Sequence, residues 1–173
     1  PKALLLYRKS NPPLYEWLGS PIVYRDDFGL AARLREMTDD YYLRKAAVYH
    51  YARMAENNWR SHLQRDEISL KKYFYALRPL FAVMWLERRL GVVPTKFATL
   101  VDTIVEEQHV LDAIAELIER KAAGTEVLKG PPVPALHEYL ATHMERVEQI
   151  ADDVEPDPRG HFDTLDDVFR ACL

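Results

Sequence analysis

Lys71, Tyr75 and Arg78 follow one another at spacings of four and three, so a helix through them sets all three on one face. Lysine and arginine are the side chains that hold phosphate oxygens, one as a point charge and the other as a planar fork. A tyrosine between them adds a ring and a hydroxyl. Residues 73–86 around them are apolar nearly all round, which marks a helix buried on most sides. Arg78 lies inside that stretch and needs a partner, because a buried charge left unpaired costs about 3–5 kcal/mol. Pro79 follows it. Proline cannot donate to the carbonyl of Tyr75 and its ring crowds that turn, so a kink is expected there. Two readings fit this spacing. In one, the face takes the phosphates and ribose of a nucleotide, with Lys72 beside it. In the other, Arg78 pairs with an internal carboxylate such as Glu56 or Glu87, and Lys71 is simply solvated.

Two further groups carry polar side chains in telling places. His50 and Asn57 are seven apart and flank Met54 on a largely apolar helix side, where they contact a base or ribose or are satisfied within the core. Lys9, Ser10 and Asn11 stand at a helix break before Pro12 and Pro13. A new helix N-terminus there can bind an anion, although the two prolines remove two of its N–H groups, and Ser10 or Asn11 serves equally as the N-cap.

Other apparent motifs fail on geometry. Asp26 and Asp27 are adjacent, so on a strand they point to opposite faces and cannot share a metal. Glu106 with His109 gives one Glu-x-x-His where a di-iron bundle needs two. His137 and His143 are six apart and share no helix face. No glycine-rich phosphate loop, zinc signature or nucleophile elbow is present.

The elements that must position these residues read as helices throughout. Residues 2–9 form one, ended by Asn11-Pro12-Pro13, and a second runs from the prolines to Gly19. Residues 20–24 are an extended connector, since a residue before proline avoids the helical region. Asp26 and Asp27 cap a third helix. Asp39 and Asp40 open the longest pattern, 41–63, with Leu43, Ala47, Tyr51 and Met54 on its apolar side. Further helices are expected at 67–90, after Pro94, over 110–123, after Pro134, and from Asp163 or Thr164 to the end at 163–173. Loops separate them at 130–132 and 155–160. The expectation is an all-α bundle of about eight or nine helices.

The 173 residues suit one domain with a real core, at 48% hydrophobic and 29% charged residues. Cys172 is the sole cysteine, which excludes an intrachain disulfide and points to a reducing, cytoplasmic setting. The opening apolar run is too short for a membrane span. The net charge of −4 divides unevenly, with +6 over residues 1–90 and −10 over 91–173. An acidic second half argues against broad coating of nucleic acid, while the basic first half suits phosphates or another domain.

Set together, several blocks resemble a known family. They are Arg8-Lys9-Ser10-Asn11-Pro12-Pro13-Leu14-Tyr15-Glu16-Trp17-Leu18, then Ser20-Pro21-Ile22-Val23-Tyr24, then His50-Tyr51 with Met54, Ala55 and Asn57. Leu70-Lys71-Lys72-Tyr73-Phe74-Tyr75-Ala76-Leu77-Arg78-Pro79-Leu80 follows. Pro94 with Phe97, Lys121 with Glu126, and Leu165 with Phe169-Arg170 complete the set. The chain is similar to bacterial nucleotidyltransferases of the DNA polymerase β superfamily, some of which accompany RNA-repair genes. The resemblance implies a C-terminal helical portion, with an N-terminal α/β domain carrying the Gly-Ser and Asp-x-Asp carboxylates for two divalent metals. By that resemblance residues 1–24 pack against this absent domain, Mg²⁺ belongs to the full-length protein and is not bound by this chain alone, and the substrate is an NTP. Lys71, Tyr75 and Arg78 then become triphosphate contacts, and the acceptor is open between RNA, protein and a small molecule. The competing reading is a non-enzymatic helical module that binds RNA or a partner protein.

Overall fold

The computed structural model describes residues 2–124, 129–157 and 162–171. Pro1, Glu126, residues 158–160 and Cys172 lie outside them. Ten α-helices are present among the described residues, so the all-α expectation holds, with nine helices of seven residues or more. Helices α1 (Lys2–Arg8), α2 (Pro12–Leu18), α3 (Leu30–Glu36) and the single turn α4 (Thr38–Tyr41) build the N-terminal part. Helix α5 (Arg44–Asn58) continues into a π-helical turn, Trp59–Leu63, and α6 (Lys71–Glu87) returns antiparallel to it, with Arg44 donating to the Leu86 carbonyl at 3.3 Å. Helices α7 (Phe97–Ile104), α8 (Gln108–Ala122), α9 (Pro134–Asp153) and α10 (Phe162–Arg170) follow.

The main core surrounds α6, which packs against α5, α7 and α9. Tyr73, Ala76, Leu77, Leu80, Phe81, Ala82, Val83 and Leu86 are all buried, as the apolar run predicts. The helix continues through Pro79, which lies inside it. A smaller core gathers Tyr7, Tyr15, Leu34, Tyr41 and Leu165, so α10 closes onto the N-terminal helices. Its tyrosines are partnered: Tyr7 and Tyr15 stack at 4.8 Å, and the Tyr7 hydroxyl donates to the Leu34 carbonyl at 2.6 Å.

Four expectations need correction. The pattern over 41–63 is not one helix: Tyr42 and Leu43 are extended, and α5 begins only at Arg44. The cause is a distant side chain. Ser10, buried and with a positive φ of 51°, donates its hydroxyl to the Tyr41 carbonyl at 2.8 Å and accepts from the Leu43 N–H at 2.6 Å. Those are backbone groups that a continuous helix would have used itself. Second, α9 at 20 residues is the longest helix, against 15 for α5. Third, Met54 is 38% exposed, because the buried stripe of α5 runs Ala47, Val48, Tyr51, Ala52 and Ala55. Fourth, α6 begins at Lys71 because Ile68–Ser69 forms a short strand, β1, antiparallel to β2 (Lys129–Gly130), with Ile68 opposite Gly130. Two residues are too few to show period two in a sequence.

Candidate functional site

The two prolines fix the start of α2, and the side chain of Asn11 caps it by accepting from the Leu14 N–H at 3.3 Å. The capping alternative for Asn11 is therefore realised, and the hydroxyl of Ser10 is spent on the α4–α5 break. One turn further along α2, Glu16 points at the α5–α6 hairpin. Its carboxylate accepts from the Arg78 guanidinium at 3.0 Å and from the Tyr51 hydroxyl. Arg78 donates also to the Pro94 carbonyl at 3.2 Å, and Thr95 donates to the Glu16 carbonyl at 2.8 Å. Both members of the ion pair are largely buried, Arg78 with 27% and Glu16 with 20% of the side chain exposed.

Of the two readings of Arg78, the internal pair is the one formed, but with neither acid named for it. Glu56 lies 3.9 Å from Arg60 of the adjoining π-helical turn, and Glu87 pairs with Arg146 at 3.0 Å. Burial raises the Tyr51 hydroxyl above its ordinary range, and the bond to Glu16 raises it further, so Tyr51 stays protonated and donates. Burial pushes His50 below the usual histidine value, with Glu16 opposing that shift, and its ring meets Tyr51 edge-on at 5.3 Å. The Nε2 atom of His50 is buried without a hydrogen-bond partner. Asn57 is exposed on α5, and Lys9 is exposed at the end of α1.

The outer face of α6 begins beyond this junction. Tyr75 is 48% exposed. Lys72 holds its ammonium 5.2 Å from the centre of the Tyr75 ring and 3.2 Å from Nε2 of His62, which the π-helical turn supplies. Desolvation and then the charges of Lys72 and Arg65 lower the His62 pKa, so the ring is neutral and accepts from Lys72. Lys71 is half-buried and forms no ion pair with a described residue. The structure therefore brings Lys72 and Tyr75 together with His62, leaves Lys71 one turn before Tyr75 on α6, sets Arg78 and His50 around Glu16, and leaves Asn57 and Lys9 apart. Among the described residues no group of three His, Cys, Asp or Glu side chains is placed to hold a metal ion, so these residues do not fit a two-metal centre.

The sequence model of the RNA repair pathway DNA polymerase beta family matches residues 1–171. The chain belongs to that family. It is also 37% identical over 158 residues to the uncharacterized protein YcgL of Bacillus subtilis (strain 168), a match covering 91% of this chain and 61% of the relative. The chain thus spans about three-fifths of that relative's length. No solved structure matches it. No helix among the described residues is long and apolar enough to cross a membrane.

In this family member the residue that spacing alone missed is Glu16. It stands in the block Tyr15-Glu16-Trp17, yet periodicity on α6 says nothing of a partner on α2. One signal was available: Glu16 is the sole acid among residues 1–25, on a helix whose other side carries buried Tyr15. A lone carboxylate in a basic segment is the natural partner for a buried arginine.

Proposed function

We propose that this chain is the helical, nucleotide-facing portion of an enzyme that transfers a nucleotidyl group from an NTP to an acceptor. The observation that carries the reading is the outer face of α6, where Lys72 rests on the exposed ring of Tyr75, Lys71 lies one turn before it, and neither lysine forms an ion pair with a described carboxylate. Lysines there suit phosphate oxygens, and an open tyrosine face suits a stacked base. Arg78 serves by fixing α2 against α5 and α6 through Glu16. In this reading the chain contributes binding and orientation, and the Mg²⁺ carboxylates are supplied by a catalytic domain of the full-length protein.

A second feature supports the same reading. Trp17, Ile22, Val23, Tyr24 and Phe28 are between 58% and 96% exposed, an apolar run that water disfavours. Its occupant in this account is the part of the polypeptide that corresponds to the unmatched two-fifths of the Bacillus relative. Isothermal calorimetry with NTPs tests the reading. Saturable binding that loses affinity in Lys71→Ala and Lys72→Ala supports it. Binding of single-stranded RNA with steep salt dependence and no NTP affinity overturns it in favour of an RNA-binding module.

A further inference from the structure

Three lysines stand on or beside the N-terminal half of α6, and two of them, Lys72 and Lys121, are held by aromatic rings and an imidazole, with no carboxylate among the described residues pairing them. Lys72 rests against the Tyr75 ring and the neutral His62. Lys121, in the last turn of α8, places its ammonium 5.0 Å from the centre of the Phe74 ring. Lys71 lies one helical turn from both rings, at i−3 to Phe74 and i−4 to Tyr75. None of the three forms an ion pair with a described residue, although the chain as a whole carries a net charge of −4. On α8 itself, Glu116 pairs with Arg120 and not with Lys121.

The arrangement breaks two local rules. Cations in the first turn of a helix oppose its macrodipole, and the first turn of α6 has no acid to offset Lys71 and Lys72. Like charges gathered on one patch also repel. Ring faces and an imidazole steer ammonium groups without cancelling their charge, and each leaves N–H donors free. Such a patch suits an anion with several oxygens along a chain. Arg78 lies outside it, since its guanidinium is already committed to Glu16 and the Pro94 carbonyl.

We propose that Lys71, Lys72 and Lys121 form a clamp for a polyphosphate chain, with Lys121 supplying the third cation from α8. Naming that chain as the triphosphate of a nucleotide rests on the nucleotide reading above. The test is calorimetric titration of the 173-residue chain with inorganic tripolyphosphate and, separately, with ATP. Lys72→Met and Lys121→Met are expected to weaken both ligands by about tenfold or more while the melting temperature stays unchanged. Glu16→Gln, which releases Arg78 without removing it, is expected to leave both affinities within about twofold. Tighter ATP binding in Glu16→Gln would show that Arg78 belongs to the anion site and overturn its exclusion. ATP bound equally by wild type, Lys72→Met and Lys121→Met overturns the clamp and leaves the nucleotide reading standing. Tripolyphosphate bound through these lysines without ATP binding upholds the clamp and overturns the nucleotide reading. Absence of binding by either ligand at millimolar concentration overturns both.

Discussion

Glu16 and Arg78, 62 residues apart in sequence, meet at 3.0 Å, and their ion pair fastens the N-terminal helices onto the α5–α6 hairpin. The carboxylate is shared: Tyr51 donates to its other oxygen. Removing it leaves a largely buried guanidinium and a hydroxyl short of an acceptor. Glu16→Ala is expected to lower stability by about 1–3 kcal/mol, less than a fully buried pair because both side chains keep some solvent contact. Urea denaturation measures it, and a double variant, Glu16→Ala with Arg78→Met, is expected to recover part of the loss.

Ser10 is the second long-range fastening. Its hydroxyl accepts the Leu43 N–H and donates to the Tyr41 carbonyl, which holds the break between α4 and α5 open. Ser10→Gly keeps the positive φ but removes the hydroxyl, so its effect isolates the hydrogen bonds. The expected loss is about 1–3 kcal/mol, read from the shift of the denaturation midpoint.

Stability is expected to fall toward both ends of the pH scale. His50 and His143 have pKa values lowered mainly by burial. As pH falls below about 6.5, the unfolded chain takes up protons that the folded chain refuses, so stability rises with pH in that window. Tyr15, Tyr42, Tyr51 and Tyr139 have pKa values raised mainly by burial. Above about pH 10 the unfolded tyrosines release protons that the folded ones retain, so stability falls as pH rises. Urea midpoints across the range check both limbs. His143→Asn is expected to flatten the acid limb, and an unchanged slope there would contradict the assignment.

The exposed apolar run is expected to tolerate substitution, because its side chains are mostly open to solvent. Tyr24, at 96% exposed, and Phe28, at 68%, contribute little to the fold. Tyr24→Ser and Phe28→Ser are expected to change stability by no more than about 0.5 kcal/mol and to reduce self-association in light scattering. A large destabilisation would mean that the run packs within the chain after all.

Much of the fold was legible before the structure, and the exceptions share one cause. Helix α6 announced itself by an apolar run too long for anything but a buried helix, and α2 by its prolines and Asn11. The break at Tyr42 was not legible, because the residue that makes it, Ser10, lies more than 30 positions away. The partner of Arg78 was missed for the same reason: spacing along a helix finds neighbours on that helix and is silent about a carboxylate on α2. Spacing set Lys71, Tyr75 and Arg78 on one face, whereas the contact of Lys72 with Tyr75 and the approach of Lys121 from α8 to Phe74 come from side-chain and tertiary packing.

The most direct test of nucleotide binding on α6 is a chemical-shift map of the ¹⁵N-labelled chain during titration with ATP. The largest shifts are expected at His62, Lys71, Lys72, Tyr75 and Lys121. None is expected in the acidic cleft of about 500 Å³ that Glu56, Glu145 and Glu148 line between α5 and α9. Shifts centred on that cleft, or no shifts at millimolar ATP, would contradict nucleotide binding on α6.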